Sequence, residues 1–201
     1  MLLVDALRED FVEMGDAVVG QRLDRGTSSY QGLRRIELFN DMNIEQPEKT
    51  ILMPLASEMP TVTLVRVKGM MTGGLNAYFE ISENFGSEKV TEDTILHQLK
   101  QQHPESKIVF TGDYIWNDMF GDYFDEANPY PSFNVRDLDT LDDQVRTDML
   151  RITKQGNFSL LIGHVIGVDH AGHTFSSSHS EIERKLRDTQ KLINDIIEEM
   201  D

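Results

Sequence analysis

The pattern of apolar and polar residues from 160 to 173, LLIGHVIGVDHAGH, predicts the element around which the fold is arranged. It starts as an apolar run, Leu160 to Ile162, which is followed by glycine and then by Val165, Ile166 and Val168. An apolar run bounded by glycine is typical of a buried strand in a parallel sheet. Asp169, His170 and His173 follow at once. Because open α/β sheets hold their ligands beyond the carboxyl ends of the strands, the segment predicts a strand that ends in a functional site.

Two shorter apolar runs also predict strands that end in a carboxylate. Residues 2–4 precede Asp5, and residues 107–110 lead through a threonine and a glycine to Asp113. The carboxyl ends of parallel strands share one edge of a sheet, so both acids are predicted at the same edge as Asp169. For Asp5 a second interpretation stays open, because aspartate is also a common helix N-cap.

Helical spacing of apolar residues predicts four helices, and the acidic segment 134–143 predicts a loop. The second helix ends at Gly73, the third presents Ile95 and Leu99 on its apolar face, and the fourth opens with a capping box of Ser180 and Glu183. Strands that alternate with helices predict an α/β fold. The predicted helices cover residues 31–42, 61–72, 91–102 and 180–201.

Composition fits one globular domain, which we predict over residues 1–201. The net charge of −16 argues against nucleic acid or an anionic membrane surface as a partner, although bound cations would still permit a phosphate substrate. The chain has no cysteine, which excludes disulfides and thiol chemistry. It also has no run of about 18 apolar residues that would predict a membrane span.

Both ends of the chain predict a piece of a longer protein. The chain begins directly in an apolar strand, and no strand follows its last predicted helix. Helices in α/β folds usually lead into another strand, so the sheet is expected to be incomplete at the C-terminus.

Thr61 follows Pro60 at the predicted start of a helix. A hydroxyl group there lies beside free backbone N–H groups and the positive end of the helix dipole, where a phosphate also binds well. Threonine is equally a good N-cap, so a catalytic and a capping role both stay open. Asp169 and His173 likewise offer donors that suit Zn²⁺, or are polar loop residues that cap a strand.

Taken together, Asp5, Thr61 and the D-x-x-G-H pattern of Asp169 and His173 resemble the alkaline phosphatase superfamily. The resemblance implies a central, mostly parallel sheet with helices on both faces and two metal ions, usually zinc. It implies that Thr61 is the nucleophile, that Asp5 is a ligand of the metal that touches the nucleophile, and that Asp169 and His173 are ligands of the second metal.

Longer motifs resemble one branch, the ethanolamine phosphate transferases of GPI-anchor biosynthesis. They include VDALREDF, MPTVTLVRVKGMMTGGL, YPSFNVRDLDT and GHVIGVDHAGH, and SFNVRDLDT is most similar to the type that modifies the third mannose. The resemblance implies transfer of phosphoethanolamine from phosphatidylethanolamine to a mannose of the GPI precursor through a phosphothreonine-type intermediate. It also implies an endoplasmic reticulum membrane protein with a lumenal catalytic domain, and a small membrane partner subunit. The sequon at Asn157 would be used only in such a compartment.

The chain departs from this pattern in what it lacks. The family's domain continues into an Asp-His-Gly strand and a further histidine, which complete both metal sites, and its membrane helices are also absent from this chain. A truncated, partial catalytic domain with little or no activity of its own is therefore expected. Two alternatives remain, a soluble metal-dependent phosphodiesterase or nucleotide pyrophosphatase, and a non-catalytic fragment.

Overall fold

The structure is a computed structural model that describes residues 1–12, 36–53, 55, 61–74 and 89–200. The chain divides into two compact units. The first, the sheet unit, consists of Met1–Leu3, Ser57–Asn134 and Asp139–Val165. The second, the helical unit, consists of Val4–Ala56, Val135–Leu138 and Ile166–Asp201. That all 201 residues form one domain stays a prediction.

The described elements alternate between strands and helices, as the sequence predicts. Two 3₁₀ helices, Glu9–Phe11 and Gly121–Tyr123, accompany them. In chain order the elements are β1 (Leu2–Val4), α1 (Leu38–Glu45), α2 (Thr63–Thr72), α3 (Ile95–Gln102), β2 (Ile108–Asp113), α4 (Ile115–Phe120), β3 (Glu126–Tyr130), α5 (Thr140–Gln155), β4 (Leu160–Val165), α6 (Gly167–Thr174) and α7 (Ser180–Met200).

The described strands form a four-stranded parallel sheet in the order β1-β4-β2-β3. Val109 of β2 pairs with Leu161 on one side and with Glu126 on the other. The amide of Gly163 donates to the carbonyl of Met1 over 2.9 Å, which joins β1 to β4. All three strands predicted from the sequence lie in this sheet, so the predicted parallel α/β fold is confirmed.

Helices cover both faces of the sheet, because side chains of a strand alternate between its faces. On one face Ile108, Phe110 and Ile162 pack in a core with residues of α2, α3 and α4. On the other, Gly163 lies against Met149 of α5, and the hydroxyl of Thr111 donates to Asp148 of the same helix over 3.1 Å. Burial of large apolar residues on both sides thus stabilises β2 and β4 as the centre of the unit.

Gly112 allows β2 to approach β4 near its carboxyl end. Its φ of +147° is a conformation that side chains other than glycine rarely adopt. A Cβ atom at this position would lie 2.7 Å from the carbonyl oxygen and 2.8 Å from the Cβ of His164. The glycine therefore fixes where the next residue, Asp113, leaves the sheet.

Several predicted boundaries were wrong, among them the start of the second predicted helix, which begins at Thr63 and not at residue 61. The third predicted helix begins at Ile95 and not at residue 91, because Thr94 is its N-cap and accepts from the amide of His97 over 3.0 Å. Its buried face contains Leu96, whereas Ile95 is half exposed. The loop predicted over residues 134–143 gives way at Thr140 to helix α5. The predicted helix at residues 31–42 falls partly outside the described residues, and α1 runs from Leu38 to Glu45.

The helical unit has its own core, which packs α6 against α7. Val168 and Ala171 of α6 are buried together with Ile182 and Leu186 of α7. The predicted long helix is confirmed, and it begins at Ser180. Within the described part of the chain, every helix is too short or too polar to cross a lipid bilayer.

Candidate functional site

Asp169 and His173 lie on one face of α6, directly after the central strand β4. The strand ends at Val165, and the helix begins at Gly167. The alternative that these residues are polar loop residues that cap a strand was therefore wrong, because the chain turns into a helix within two residues. The helix brings Nε2 of His173 to 3.4 Å from Oδ2 of Asp169, an i,i+4 pair.

The buried face of α6 holds this pair in place. Val168 and Ala171 are buried in the core of the helical unit, and Nδ1 of the buried His170 lies 2.8 Å from the carbonyl oxygen of Asp137. The side chain of His173 is 63% exposed, and that of Asp169 is 27% exposed. His170 therefore anchors the helix, while Asp169 and His173 lie partly at its surface.

Asp5 lies in the turn after β1, in the same unit as Asp169 and His173. Its Oδ1 atom accepts from the amide of Ala6 over 2.8 Å, and Ala6 has a positive φ of 55°. The alternative that Asp5 caps a helix was wrong for the helix that follows, because the N-cap of the 3₁₀ helix at Glu9–Phe11 is Arg8. Backbone strain of this kind is frequently found at functional sites.

Thr61 is exposed and belongs to the sheet unit. Helix α2 begins two residues later, and its N-cap is Val62, whose side chain makes no capping hydrogen bond. The alternative that Thr61 serves as the helix N-cap is therefore wrong. Thr61 lies directly before the N-cap, close in sequence to the positive end of the helix dipole.

The donor set fits part of a metal site. A carboxylate oxygen and an imidazole nitrogen on one helix face are suitable zinc ligands, and Asp169 and His173 supply one of each. No group of three or more His, Asp, Glu or Cys side chains that could hold an ion occurs among the described residues. Asp169 and His173 thus come together, Asp5 does not join them in such a group, and the roles of all three stay predictions.

Arg66 is a candidate that the sequence analysis missed. It lies in the first turn of α2, where its amide donates to the carbonyl of Val62 over 3.1 Å. The Nε and Nη2 atoms of its guanidinium group are buried and have no hydrogen-bond partner in the described structure. A buried cation without an acceptor is costly, so it indicates a place for an anion. The signal in the sequence that could have identified Arg66 was its position five residues after Thr61.

Asp148 is the centre of a second polar cluster, on α5. It is 9% exposed and accepts from the hydroxyl groups of Thr111 and Tyr130, over 3.1 and 2.6 Å, and from Arg151 over 2.9 Å. Burial, together with the hydrogen bond to Asp148, raises the pKa of Tyr130 to about 12. Because every donor is internal and Arg151 supplies the opposite charge, this cluster stabilises the fold and offers no position to a ligand.

Comparison with known proteins gives matches along the whole chain. GPI ethanolamine phosphate transferase 3, catalytic subunit, from Homo sapiens is 31% identical over 201 residues, which is 100% of this chain and 18% of the relative. GPI ethanolamine phosphate transferase 3 from Schizosaccharomyces pombe is 30% identical over 203 residues, again 100% of this chain and 21% of the relative. GPI ethanolamine phosphate transferase 2, catalytic subunit, from Homo sapiens is 33% identical over 134 residues, 67% of this chain and 13% of the relative.

No protein-family model and no solved structure matches the chain. The chain spans about a fifth of the length of the type 3 relatives that it matches. Its alignment with several of them nevertheless runs from end to end, and it includes the segments that carry Asp5, Thr61, Asp169 and His173. The relatives that match along the whole chain are therefore GPI ethanolamine phosphate transferases, and the resemblance that the motifs predicted is confirmed.

Proposed function

We propose that this chain supplies the nucleophile and part of the metal site of an enzyme that moves phosphoethanolamine from phosphatidylethanolamine to a mannose of the GPI-anchor precursor. The acceptor is the third mannose, and the enzyme acts on the lumenal side of the endoplasmic reticulum membrane. The observation that carries the proposal is the end-to-end match to the type 3 transferases. The words "catalytic subunit" in the name of the human relative further support a protein that works with a partner subunit.

In the first step the Thr61 oxygen attacks the phosphorus atom of the donor phosphodiester. A Thr61 O–P bond forms, the bond from phosphorus to the diacylglycerol oxygen breaks, and the threonine proton ends on the released diacylglycerol. In the second step the oxygen of a mannose hydroxyl group attacks the same phosphorus atom. A mannose O–P bond forms, the Thr61 O–P bond breaks, and the mannose proton ends on Thr61. Covalent catalysis of this kind divides one hard displacement into two easier ones.

The residues around Thr61 suit an anionic reacting group. The positive end of the dipole of α2, which begins at Thr63, favours negative charge. The buried Nε and Nη2 atoms of Arg66 are further donors for a phosphoryl oxygen. Two divalent cations, in our proposal zinc, would supply Lewis-acid stabilisation of the phosphoryl charge. Asp5 would hold one of them, and Asp169 and His173 would hold the other.

The nucleophile is tested in cells that make the native protein with Thr61→Ala. We expect transfer to the GPI precursor to be abolished, measured by mass spectrometry of the precursor glycans, while the metal content of the purified protein is unchanged. Thr61→Ser keeps a hydroxyl group and should retain measurable transfer, and Thr147→Ala on the exposed face of α5 is the matched surface control. Continued transfer by Thr61→Ala would show that another group is the nucleophile.

The metal ligands are tested by elemental analysis of purified variants. Asp169→Asn and His173→Ala should each lower zinc occupancy, because each removes one of two adjacent donors. His103→Ala removes an exposed imidazole from the sheet unit and serves as the control. Occupancy equal to that of the unmodified protein in both variants would contradict the assignment.

We further infer that the 201 residues alone turn over weakly or not at all. Within the described residues, the second site has two adjacent donors where a catalytic zinc site has three protein ligands. Clear transfer by the purified 201-residue chain, in a vesicle assay with phosphatidylethanolamine and zinc, would contradict this inference.

A further inference from the structure

A buried carboxylate lies at the carboxyl end of β2, outside the residues proposed for phosphoryl transfer. Asp113 is 5% exposed, and its Oδ1 atom accepts from the amide of Ile115 over 3.1 Å and from the hydroxyl group of Ser132 over 2.7 Å. Both donors are neutral. They hold the carboxylate in one orientation, and neither supplies the positive charge that a buried carboxylate normally requires.

No Lys, Arg or His side chain forms an ion pair with Asp113 in the part of the chain that the structure describes. Asp118, on the first turn of α4, adds a second carboxylate beside the same turn. A buried charge without its counter-ion is costly, so its retention indicates that the missing cation comes from a ligand.

The residues that follow Asp113 and its partner Ser132 form an aromatic pair. The rings of Tyr114 and Phe133 are 5.2 Å apart at an angle of 59°, and Phe133 is 82% exposed despite its apolar ring. Two hydrogen bonds fix the pair. The hydroxyl group of Ser132 donates to Asp113, and the amide of Tyr114 donates to the carbonyl oxygen of Tyr130 over 3.1 Å. Phe133 is therefore exposed in the segment after β3, next to a residue that donates a hydrogen bond to Asp113.

The electrostatic environment of Asp113, Tyr114 and Phe133 favours a cation. Burial, followed by the negative charges of Asp113 and Asp118, raises the pKa of the Tyr114 hydroxyl group. The faces of aromatic rings also attract cations, and organic ammonium groups are typical ligands of such sites. A metal ion fits less well, because the described residues contain no group of three or more ligand side chains around Asp113.

We propose that Asp113, Tyr114 and Phe133 form a binding site for a primary ammonium group, namely that of the ethanolamine moiety of the donor lipid. The carboxylate of Asp113 accepts hydrogen bonds from the ammonium group, and the two rings cover its methylene groups. The choice of this ligand rests on the proposed function. The site would explain how the protein distinguishes a donor lipid with an ethanolammonium headgroup from a lipid with a neutral headgroup.

The test is an NMR titration of the 201-residue chain with ethanolammonium chloride, at constant ionic strength and without metal or acceptor. Saturable shifts are expected at the ring signals of Tyr114 and Phe133. Ethylene glycol, which replaces the ammonium group by a hydroxyl group, should leave them unchanged. Asp113→Asn should weaken binding about tenfold, and Phe133→Leu, which keeps an apolar side chain without a π face, about threefold.

Matched controls are Asp122→Asn, an exposed carboxylate paired with Lys89, and Phe175→Leu, a second exposed phenyl group. Both should bind ethanolammonium as the unmodified chain does. Equal shifts with ethylene glycol, shifts caused only by zinc or magnesium chloride, or unchanged binding by a folded Phe133→Leu chain would each overturn the proposal. Because the assay involves no phosphoryl transfer, its failure leaves the role of Thr61 standing, and failure of the Thr61 experiment leaves this site standing.

Discussion

Two buried aspartates of the sheet unit differ in whether the protein supplies their counter-ion. Asp148 accepts from two hydroxyl groups and from Arg151, which also carries the opposite charge. Asp113 accepts only from an amide and a hydroxyl group. Strand β2 connects the two regions, since Thr111 donates to Asp148 and Asp113 ends the same strand.

The difference distinguishes a carboxylate that stabilises the fold from one that, in our proposal, binds a ligand. Removal of a carboxylate from water costs several kcal/mol. A paired cation together with good hydrogen bonds can offset a cost of this size. Around Asp148 that compensation is internal, so its removal should destabilise the protein. Around Asp113 the hydrogen bonds are present and the cation is not, so the charge itself contributes little to folding.

The largest loss of stability is expected for Gly112→Ala. This substitution would displace strand β2, which connects the regions of Asp148 and Asp113. The added Cβ atom would lie 2.7 Å from the backbone of His164, and alanine would have to adopt a φ of +147°. Strain and overpacking together should lower the free energy of unfolding by about 3–5 kcal/mol, measured by urea denaturation. Gly172→Ala is the control, because it lies in a helix with no atom within 4 Å of the new Cβ. A stability loss below about 1 kcal/mol in Gly112→Ala would contradict the conclusion that the close approach of β2 to β4 requires glycine at this position.

Sequence patterns predicted the central elements because these elements are defined locally. An apolar run bounded by glycine gives β4, and helical spacing followed by Gly73 gives α2, whose C-cap is that glycine at a φ of 68°. Helix α5 was missed because its first turn is acidic and its buried residues include a polar one, Asp148. Its place in the fold depends on partners that are distant in sequence, among them Thr111.

The candidate site shows the same limit. The D-x-x-G-H spacing predicted that Asp169 and His173 act together, and the structure brings them within 3.4 Å, although on a helix and not in a loop. Asp113 was recognised as an acid at a strand end, but its contact with Ser132 joins residues 19 positions apart. The burial of Arg66 likewise results from packing, which no local pattern in its own helix shows.

Asp148→Asn should destabilise the protein by about 2–3 kcal/mol in urea denaturation at neutral pH. The substitution removes the charge opposite Arg151 and can place an NH₂ group against the hydroxyl groups of Thr111 and Tyr130. The exposed Asp143→Asn on the same helix should lose less than about 1 kcal/mol. Equal stability of the two variants would contradict a stabilising role of the Asp148 cluster in the fold.

Tyr130→Phe should have a smaller effect at neutral pH, about 1–2 kcal/mol, and should remove a pH dependence. The pKa of Tyr130 is about 12 in the folded protein and about 10 in an unfolded chain, so the folded state keeps the proton longer. The stability that this proton supports is complete below pH 10 and is lost as the pH rises through 10 to 12. Urea denaturation across this range should show a flatter decline in Tyr130→Phe, whereas Tyr123→Phe should follow the unmodified protein.

The smallest effect on stability is expected for Asp113→Asn, although this residue is at least as buried as Asp148. The amide oxygen of asparagine can still accept from Ile115 and from Ser132, and the substitution removes a negative charge that no described side chain compensates. The free energy of unfolding should therefore change by less than about 1 kcal/mol, or rise, because loss of the desolvation cost offsets the weaker hydrogen bonds. Comparison of Asp113→Asn with Asp148→Asn under the same conditions isolates the effect of the cation that the protein itself supplies to Asp148. A loss as large as that of Asp148→Asn would show that the Asp113 charge stabilises the fold and is not kept for a ligand.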